Sequence, residues 1–571
     1  MASPGVARLI APTQCAMSGP CLPPCSDSCI QAQASYCATR TIGGFPIRDF
    51  QSPGRSTVMA TNGMCATSHP LAAKVAIETL ERGGTAMDAA IAGAVLLGIC
   101  EPHMCGIGGD CFVLISQPGQ PDIVALNGSG RAPAGANAAA LRDRGQTTVP
   151  LRGPEAVTIP GAIDAFCTLS EDHGKLGIDA LLAPAIRYAE EGVPVGPRVA
   201  MDWPGASKAL QGHAPQYYLP NGQVPVKGQL FRLPAQAEAL RRIARNGRAG
   251  FYEGEVAEDL VAALKAAGGV HELSDFATQR CNYNDPVSGL YKGTELVEHA
   301  PNGQGATAIL LLNILSHFDI ASMDPLGVER LHIEAEATRL AYDARNRFIA
   351  DPDHTTRLDH MLAPETARRL AGLINPKRAM ASAHEASEAI HKDTVYITVV
   401  DGDRMAVSLI YSLFHPFGSG IASEKFGILL QNRGAGFTLE EGHANEMAPG
   451  KRPMHTIIPG MLRVDGRVTM PFGVMGGAYQ CTGHARFVSN MVDFGMEAQA
   501  AIDAPRAFAE GNLLKVESGY PDAVRAKLAE MGHDVSLADS PIGGAQSILI
   551  REDGVLEGAS DPRKDGCALG Y

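Results

Sequence analysis

The chain has 571 residues, 45% of them apolar and 19% charged, which is enough for one large domain or several ordinary ones with a sizeable core. A formal net charge of -13 without clustered Lys and Arg excludes a nucleic-acid surface, since phosphate contacts need grouped cations. Thirteen scattered cysteines, an odd number, exclude a disulfide scaffold.

Residues 1–54 are rich in Ser, Pro, Ala and Cys without periodicity and read as a loose extension. Cys21, Cys25 and Cys29 would share one helical face, but Pro23 and Pro24 oppose a helix there and no histidine lies among them. A disordered tail is therefore the stronger reading and a metal site the weaker. No basic segment followed by an apolar one marks a signal peptide, so a cytoplasmic location is expected. Order begins with a strand over 56–60. Ser68 can cap a helix over 70–82, in which Leu71, Val75, Ala76 and Leu80 share a face and Gly83-Gly84 is the stop. The apolar stretch 86–100 is too short to span a membrane and contains Asp88. It reads as a helix buried between layers.

"PHMCGIGGD", residues 102–110, is a glycine loop leading into a strand over 111–115. It is no dinucleotide fingerprint, because it precedes a strand instead of opening a helix. The middle of the chain reads as mainly helical, over 178–191, 235–246, 255–267 and 328–349. The stretch 375–390 reads as an exposed connector. Strands then cluster at 394–400, 406–413 and 427–430, the first with the alternation of a half-buried strand. Residues 456–474 form a hairpin turning at Asp465-Gly466, and "GVMGGAYQ" leads into a helix over 482–494. Helices first and strands later indicate an α/β or α+β protein.

Thr394 opens a strand directly after the connector. A threonine hydroxyl is a poor nucleophile unless a base takes its proton. Cutting the Asp393–Thr394 bond would supply one, the new α-amine, which titrates near about 7.7–8.0. A strand-opening threonine is by itself more readily a plain β-former. Gly476-Gly477, just before a helix, can offer two backbone N–H groups to an oxyanion, or can simply make a tight turn.

Ordered motifs add to these readings: "RGGTAMDAAIA", "GIGGD", "AEATRLAYDARNRFIADPD", "DTVYITVVD", "FGSGI", "GILLQNRGAGF", "GKRP", "GGAYQ" and "GASDPRKDGCALGY". Over residues 56–571 the chain resembles the γ-glutamyltranspeptidase (glutathione hydrolase) family of N-terminal-nucleophile hydrolases. The resemblance implies a four-layer αββα fold. It implies a precursor cut between Asp393 and Thr394 into a large chain, 55–393 beyond the extension, and a small chain, 394–571, that stay together. Thr394 would be the nucleophile, with Gly476 and Gly477 donating to the oxyanion. The acyl group would pass to water or an acceptor amine. No metal or organic cofactor is implied, and the substrate is a small-molecule amide.

The substrate-holding residues depart from the family. Ser129 stands at the place of the family's carboxylate-binding arginine, with Arg131 two residues on. Gly436 replaces its ammonium-binding aspartate and Arg433 the glutamine before it. Asn432 is kept. Ser412 replaces a threonine, Phe414 an asparagine, and His455-Thr456 a serine pair. An anionic partner for an ammonium group is gone and a guanidinium has appeared. Arg433 with Arg131 is thus expected to grip an acyl carboxylate, as in glutaryl or oxamate-like amides. The alternative is an unprocessed, inactive homologue that binds a small molecule.

Overall fold

Strand Val395–Val400 turns Val395, Ile397 and Val399 to one side and Tyr396 and Val400 to the other, and all six residues are buried. The alternation is as expected, but the strand is covered on both faces, not one. The protein has a layer on each side of it. The structure, a computed structural model, describes residues 54–380 and 394–571, with the backbone of a separate two-strand ribbon, Arg40–Ile42 against Phe45–Ile47. The five cysteines before residue 40 and Asp393 lie outside the described residues.

Two seven-stranded antiparallel sheets form the centre. The first runs Asn282–Asn284, Ile123–Gly128, Asp110–Ser116, Ala406–Ser412, Val395–Val400, Met64–Thr67 and Cys567–Gly570 in spatial order. The second runs Val287–Tyr291, Thr294–Glu298, Gly460–Val464, Arg467–Met475, Gly544–Ile550, Leu556–Ser560 and Val58–Ala60. Each sheet therefore mixes strands from before and after residue 394. The outer face of the first sheet packs on Pro70–Glu81, Ala86–Cys100, Ala162–His173 and Ile178–Glu191. That of the second packs on Gly305–Leu315, Val328–Phe348 and Gln480–Phe494. The result is the four-layer αββα sandwich.

Ala86–Cys100 is buried at all fifteen positions, as a helix between layers must be. Its one charge, Asp88, is used locally: Thr85 and Asp88 form a capping box, and Asp88 Oδ2 also accepts from Lys175 N at 2.8 Å. Among the described residues no helix is long and apolar enough to cross a membrane. The hairpin Gly460–Val464 to Arg467–Met475 turns at Asp465 (φ 49°) and Gly466 (φ 76°), the pair of left-handed residues such a two-residue turn requires.

Two expectations are corrected. Ser68 does not cap the helix Pro70–Glu81. Its hydroxyl donates to Glu101 Oε2, and His69 caps, Nδ1 accepting from Leu71 N at 3.3 Å. Residues 427–430 are not a ladder strand. Gly427 is left-handed (φ 63°), and the amides of Ile428 and Leu430 are taken by Ser423 Oγ and Ile421 O within the same loop. The mainly helical middle also holds the hairpin Val287–Tyr291 to Thr294–Glu298, turning at Lys292-Gly293.

The sheets meet closely at Gly473, where an added Cβ would lie 2.3 Å from Tyr396 Cε2. The Tyr396 hydroxyl donates to Ser408 Oγ at 2.7 Å, which in turn donates across the interface to Phe472 O at 3.2 Å. Gly473→Ala must therefore push the tyrosine off this contact. It is expected to destabilise the protein by about 1–3 kcal/mol. Calorimetry checks this, and an unchanged melting temperature would show slack between the sheets.

Candidate active site

Register places the first candidate pair. Val395 pairs with Tyr411, so Thr394 and Ser412 sit side by side at the ends of neighbouring strands. Thr394 is 1% exposed, and its Oγ1 lies 3.2 Å from Ser412 Oγ. Ser412 Oγ also accepts from Phe414 N at 2.8 Å, which holds the hydroxyl in place. Gly109 lets the glycine loop lie against this strand end, since a Cβ there would stand 2.4 Å from Ser412 O.

The opposing sheet supplies the second element. Tyr396 and Met475 share one inter-sheet cluster with Phe112, Ile410 and Ile457, so the end of Arg467–Met475 faces the start of Val395–Val400. Directly after it, Gly476 and Gly477 take φ of 126° and 58°, which a side chain would strain. Gln480–Phe494 follows them.

Arg433, Thr456, His455 and Asp110 form a buried polar wall. Arg433 Nη1 donates to Thr456 Oγ1 at 2.9 Å, and its guanidinium carbon lies 4.0 Å from the Phe414 ring centre. Its Nε and Nη2 have no acceptor among the described residues. Burial pulls this guanidinium down to about 9, against the opposing pull of Asp110. Burial also pushes Asp110 up to about 6, opposed by Arg433 and by hydrogen bonds from Gly130 N, Gln431 Nε2 and Gly161 N. His455 Nδ1 accepts from Ile457 N at 3.3 Å, which leaves Nε2–H to face Asp110 Oδ2 at 3.3 Å. Burial, with Arg433, His299 and Arg452 nearby, holds this imidazole well below its ordinary pKa. The contact is thus a hydrogen bond from a neutral ring, not an ion pair.

Asn432 braces the loop between strand and wall. Its Nδ2 donates to Leu151 O at 2.7 Å and its Oδ1 accepts from His415 N at 3.1 Å. Gly436 stands where an aspartate side chain has no room, since a Cβ would meet Met454 O at 2.6 Å.

Arg131 has partners outside this wall. Its Nη1 donates to Gly450 O at 2.9 Å and faces Asp351 Oδ2 at 3.7 Å, with 41% of the side chain exposed. Among the described residues it shares no hydrogen-bond partner with Arg433. The Ser129 hydroxyl accepts from Asn302 Nδ2 at 3.0 Å, and Ser129 O accepts from Arg452 Nε at 2.9 Å.

Three residues escaped the sequence reading. Gln304 Nε2 donates to both Thr456 O (2.6 Å) and Gly477 O (3.1 Å), tying the polar wall to the glycine pair. Arg345 Nη1 holds Gln304 Oε1 at 2.8 Å. Asp110 anchors the wall. The available signal for Asp110 and Gln304 was position, where the glycine-rich loops "GIGGD" and "PNGQG" lead into a strand and a helix; Arg345, inside a helix, gave none.

Known proteins share this architecture. The profile of the family described as gamma-glutamyltranspeptidase matches residues 72–571. A glutathione hydrolase-like proenzyme of Bacillus subtilis strain 168 is 34% identical, over 90% of this chain and 99% of the relative. An oxamate amidohydrolase proenzyme of Klebsiella pneumoniae is 36% identical, over 90% of this chain and 100% of the relative. The crystal structure of a cephalosporin acylase from Bacillus halodurans superposes with a TM-score of 0.85 at 36% identity, covering 92% of this chain and 99% of that one. The chain therefore belongs to the γ-glutamyltranspeptidase family and is an enzyme of the N-terminal-nucleophile hydrolase class, related to proenzymes that act on amides.

Proposed function

We propose that the chain cuts its own Asp393–Thr394 bond and then hydrolyses small amides whose acyl group carries a carboxylate. The observation that carries this reading is the buried Thr394 hydroxyl set against Ser412 Oγ, at a strand end that faces two left-handed glycines. Cleavage divides residues 55–393 from 394–571, and the shared sheets keep the two chains together. It also gives Thr394 an α-amine beside its own hydroxyl.

The amine takes the proton from Oγ1 as Oγ1 attacks the acyl carbonyl, while the Gly476 and Gly477 N–H groups receive the oxyanion. The C–N bond breaks, the proton passes to the leaving amine, and an acyl-threonine remains. Water, deprotonated by the same α-amine, releases the acid and restores the hydroxyl. Ser412 orients the nucleophile. Hydrolysis is favoured over transfer to an acceptor amine.

Arg433 supports the choice of acyl group. Its Nε and Nη2 are buried and without acceptors among the described residues, which suits a carboxylate that accepts from both. The tight backbone at Gly436 leaves no room there for an acidic side chain to meet an α-ammonium. The names of the oxamate amidohydrolase and cephalosporin acylase relatives point the same way. His455 and Thr456 hold Arg433 and Asp110 in place.

Thr394→Ala is expected to remain one full-length band on a denaturing gel, where the wild type gives two, and to lose at least about 10³-fold in turnover. Turnover by uncut protein would refute the mechanism. A glutaryl anilide should be cleaved better than a γ-glutamyl anilide, and Arg433→Gln should lower glutaryl kcat/KM by about 100-fold or more, since an ion-pair partner lost in a buried site costs about 3–5 kcal/mol. A strong γ-glutamyl preference in the wild type would overturn the specificity. The amine works only unprotonated, so kcat/KM should climb with pH and level off above about 8. A flat profile between pH 6 and 9 would show that another group takes the proton.

A further inference from the structure

A second cluster of buried side chains lies outside the nucleophile site and shares no residue with it. His332 and Glu336 are one helical turn apart on Val328–Phe348, and His533 stands immediately before strand Asp534–Leu537. All three are buried. One ligand atom from each lies within 4.8 Å of the others.

The hydrogen bonds fix which atoms face inward. His332 Nε2 donates to Asn375 O at 2.8 Å, so Nδ1 carries the ring's lone pair and points at His533 Nε2, 2.7 Å away. Glu336 is oriented by Arg339 Nη1 on Oε1 (2.6 Å) and by Met380 N on Oε2 (2.8 Å). Arg339 is itself spread over Gly511 O and Asn512 O. A carboxylate has about four lone-pair directions, so both oxygens keep capacity for a further partner.

We infer that His332, Glu336 and His533 form a divalent-metal site of the zinc type that fastens helix Val328–Phe348 to the entry of strand Asp534–Leu537. Two neutral imidazoles and one carboxylate, with a water as fourth ligand, are a donor set that zinc takes. Each inward-facing group but His533 already has the outer partner that such ligands use for orientation, Asn375 O on one and Arg339 with Met380 N on the other. Zinc–nitrogen bonds of about 2.0–2.1 Å set neighbouring ligands about 3.3 Å apart. The imidazoles therefore open slightly from 2.7 Å and the carboxylate swings in. The ion takes the place of the proton that the two rings otherwise share.

His332 and Glu336 precede Thr394 in the chain and His533 follows it. If the chain is cut as proposed, the ion joins the two products; this role rests on that reading, whereas the site itself does not.

The test uses the full chain, stripped with a chelator and titrated with ZnCl2 and separately with CoCl2. One zinc per chain is expected by mass spectrometry, with a rise in melting temperature and, for cobalt, the visible bands of a four-coordinate ion. Thr394→Ala should bind the same single ion, so failure of self-cleavage leaves the result intact. His332→Gln and His533→Gln should each weaken zinc binding by at least about 100-fold, the upper end of what loss of an outer partner alone produces. Turnover of the stripped protein should not change. The inference is overturned if the wild type holds no stoichiometric zinc, or if both variants retain it undiminished. Should neither variant fold, the wild-type cobalt spectrum decides, and absence of four-coordinate bands overturns the site.

Discussion

The close approach of the two sheets at Gly473 is the constraint on which the rest depends. With only a hydrogen on Cα there, the Tyr396 ring lies flush against the opposite sheet, and its hydroxyl reaches Phe472 through Ser408. That contact sets the height of Arg467–Met475 over Val395–Val400. The residues just beyond the two strands, Gly476-Gly477 and Thr394, inherit that placement. A protein interior is packed too densely to absorb a shift of an ångström between layers. The geometry of any reaction at Thr394 is accordingly set by packing two residues away from it.

The polar wall follows the electrostatics of burial. A fully enclosed guanidinium is costly unless something charged or polar meets it. Arg433 has Thr456 on one nitrogen, the Phe414 ring beneath it, and Asp110 as the nearby opposite charge. Asp110 is itself shared among Gly130, Gly161, Gln431 and a neutral His455, so it compensates only partly. The same incomplete pairing that makes Arg433 expensive to bury makes it receptive to an anion.

Gln304 shows how the site is coupled to the helices outside the sheets. It stands between the Thr456 and Gly477 carbonyls and is held by Arg345 from Val328–Phe348. The wall and the glycine pair are therefore linked to that helix through one residue. The cluster of His332 and Glu336 lies on the same helix, which makes it a common spine for both.

Local chemistry was readable along the chain where it repeats or stands alone. The period of Val395–Val400, the apolar run 86–100, the Asp465-Gly466 turn and the ordered motifs that end in a glycine pair each have a short-range cause, and each led to the right element. Ser68 and residues 427–430 were misread for one reason. In each case a competing partner far away in sequence, or a loop folded on itself, outbid the local preference: Glu101 for Ser68, Ser423 and Ile421 for 428 and 430. Periodicity, turn chemistry and motif order thus determined the layers and the family. Which charges meet was decided only by the tertiary structure, because burial and pairing depend on segments hundreds of residues apart being pressed into one wall.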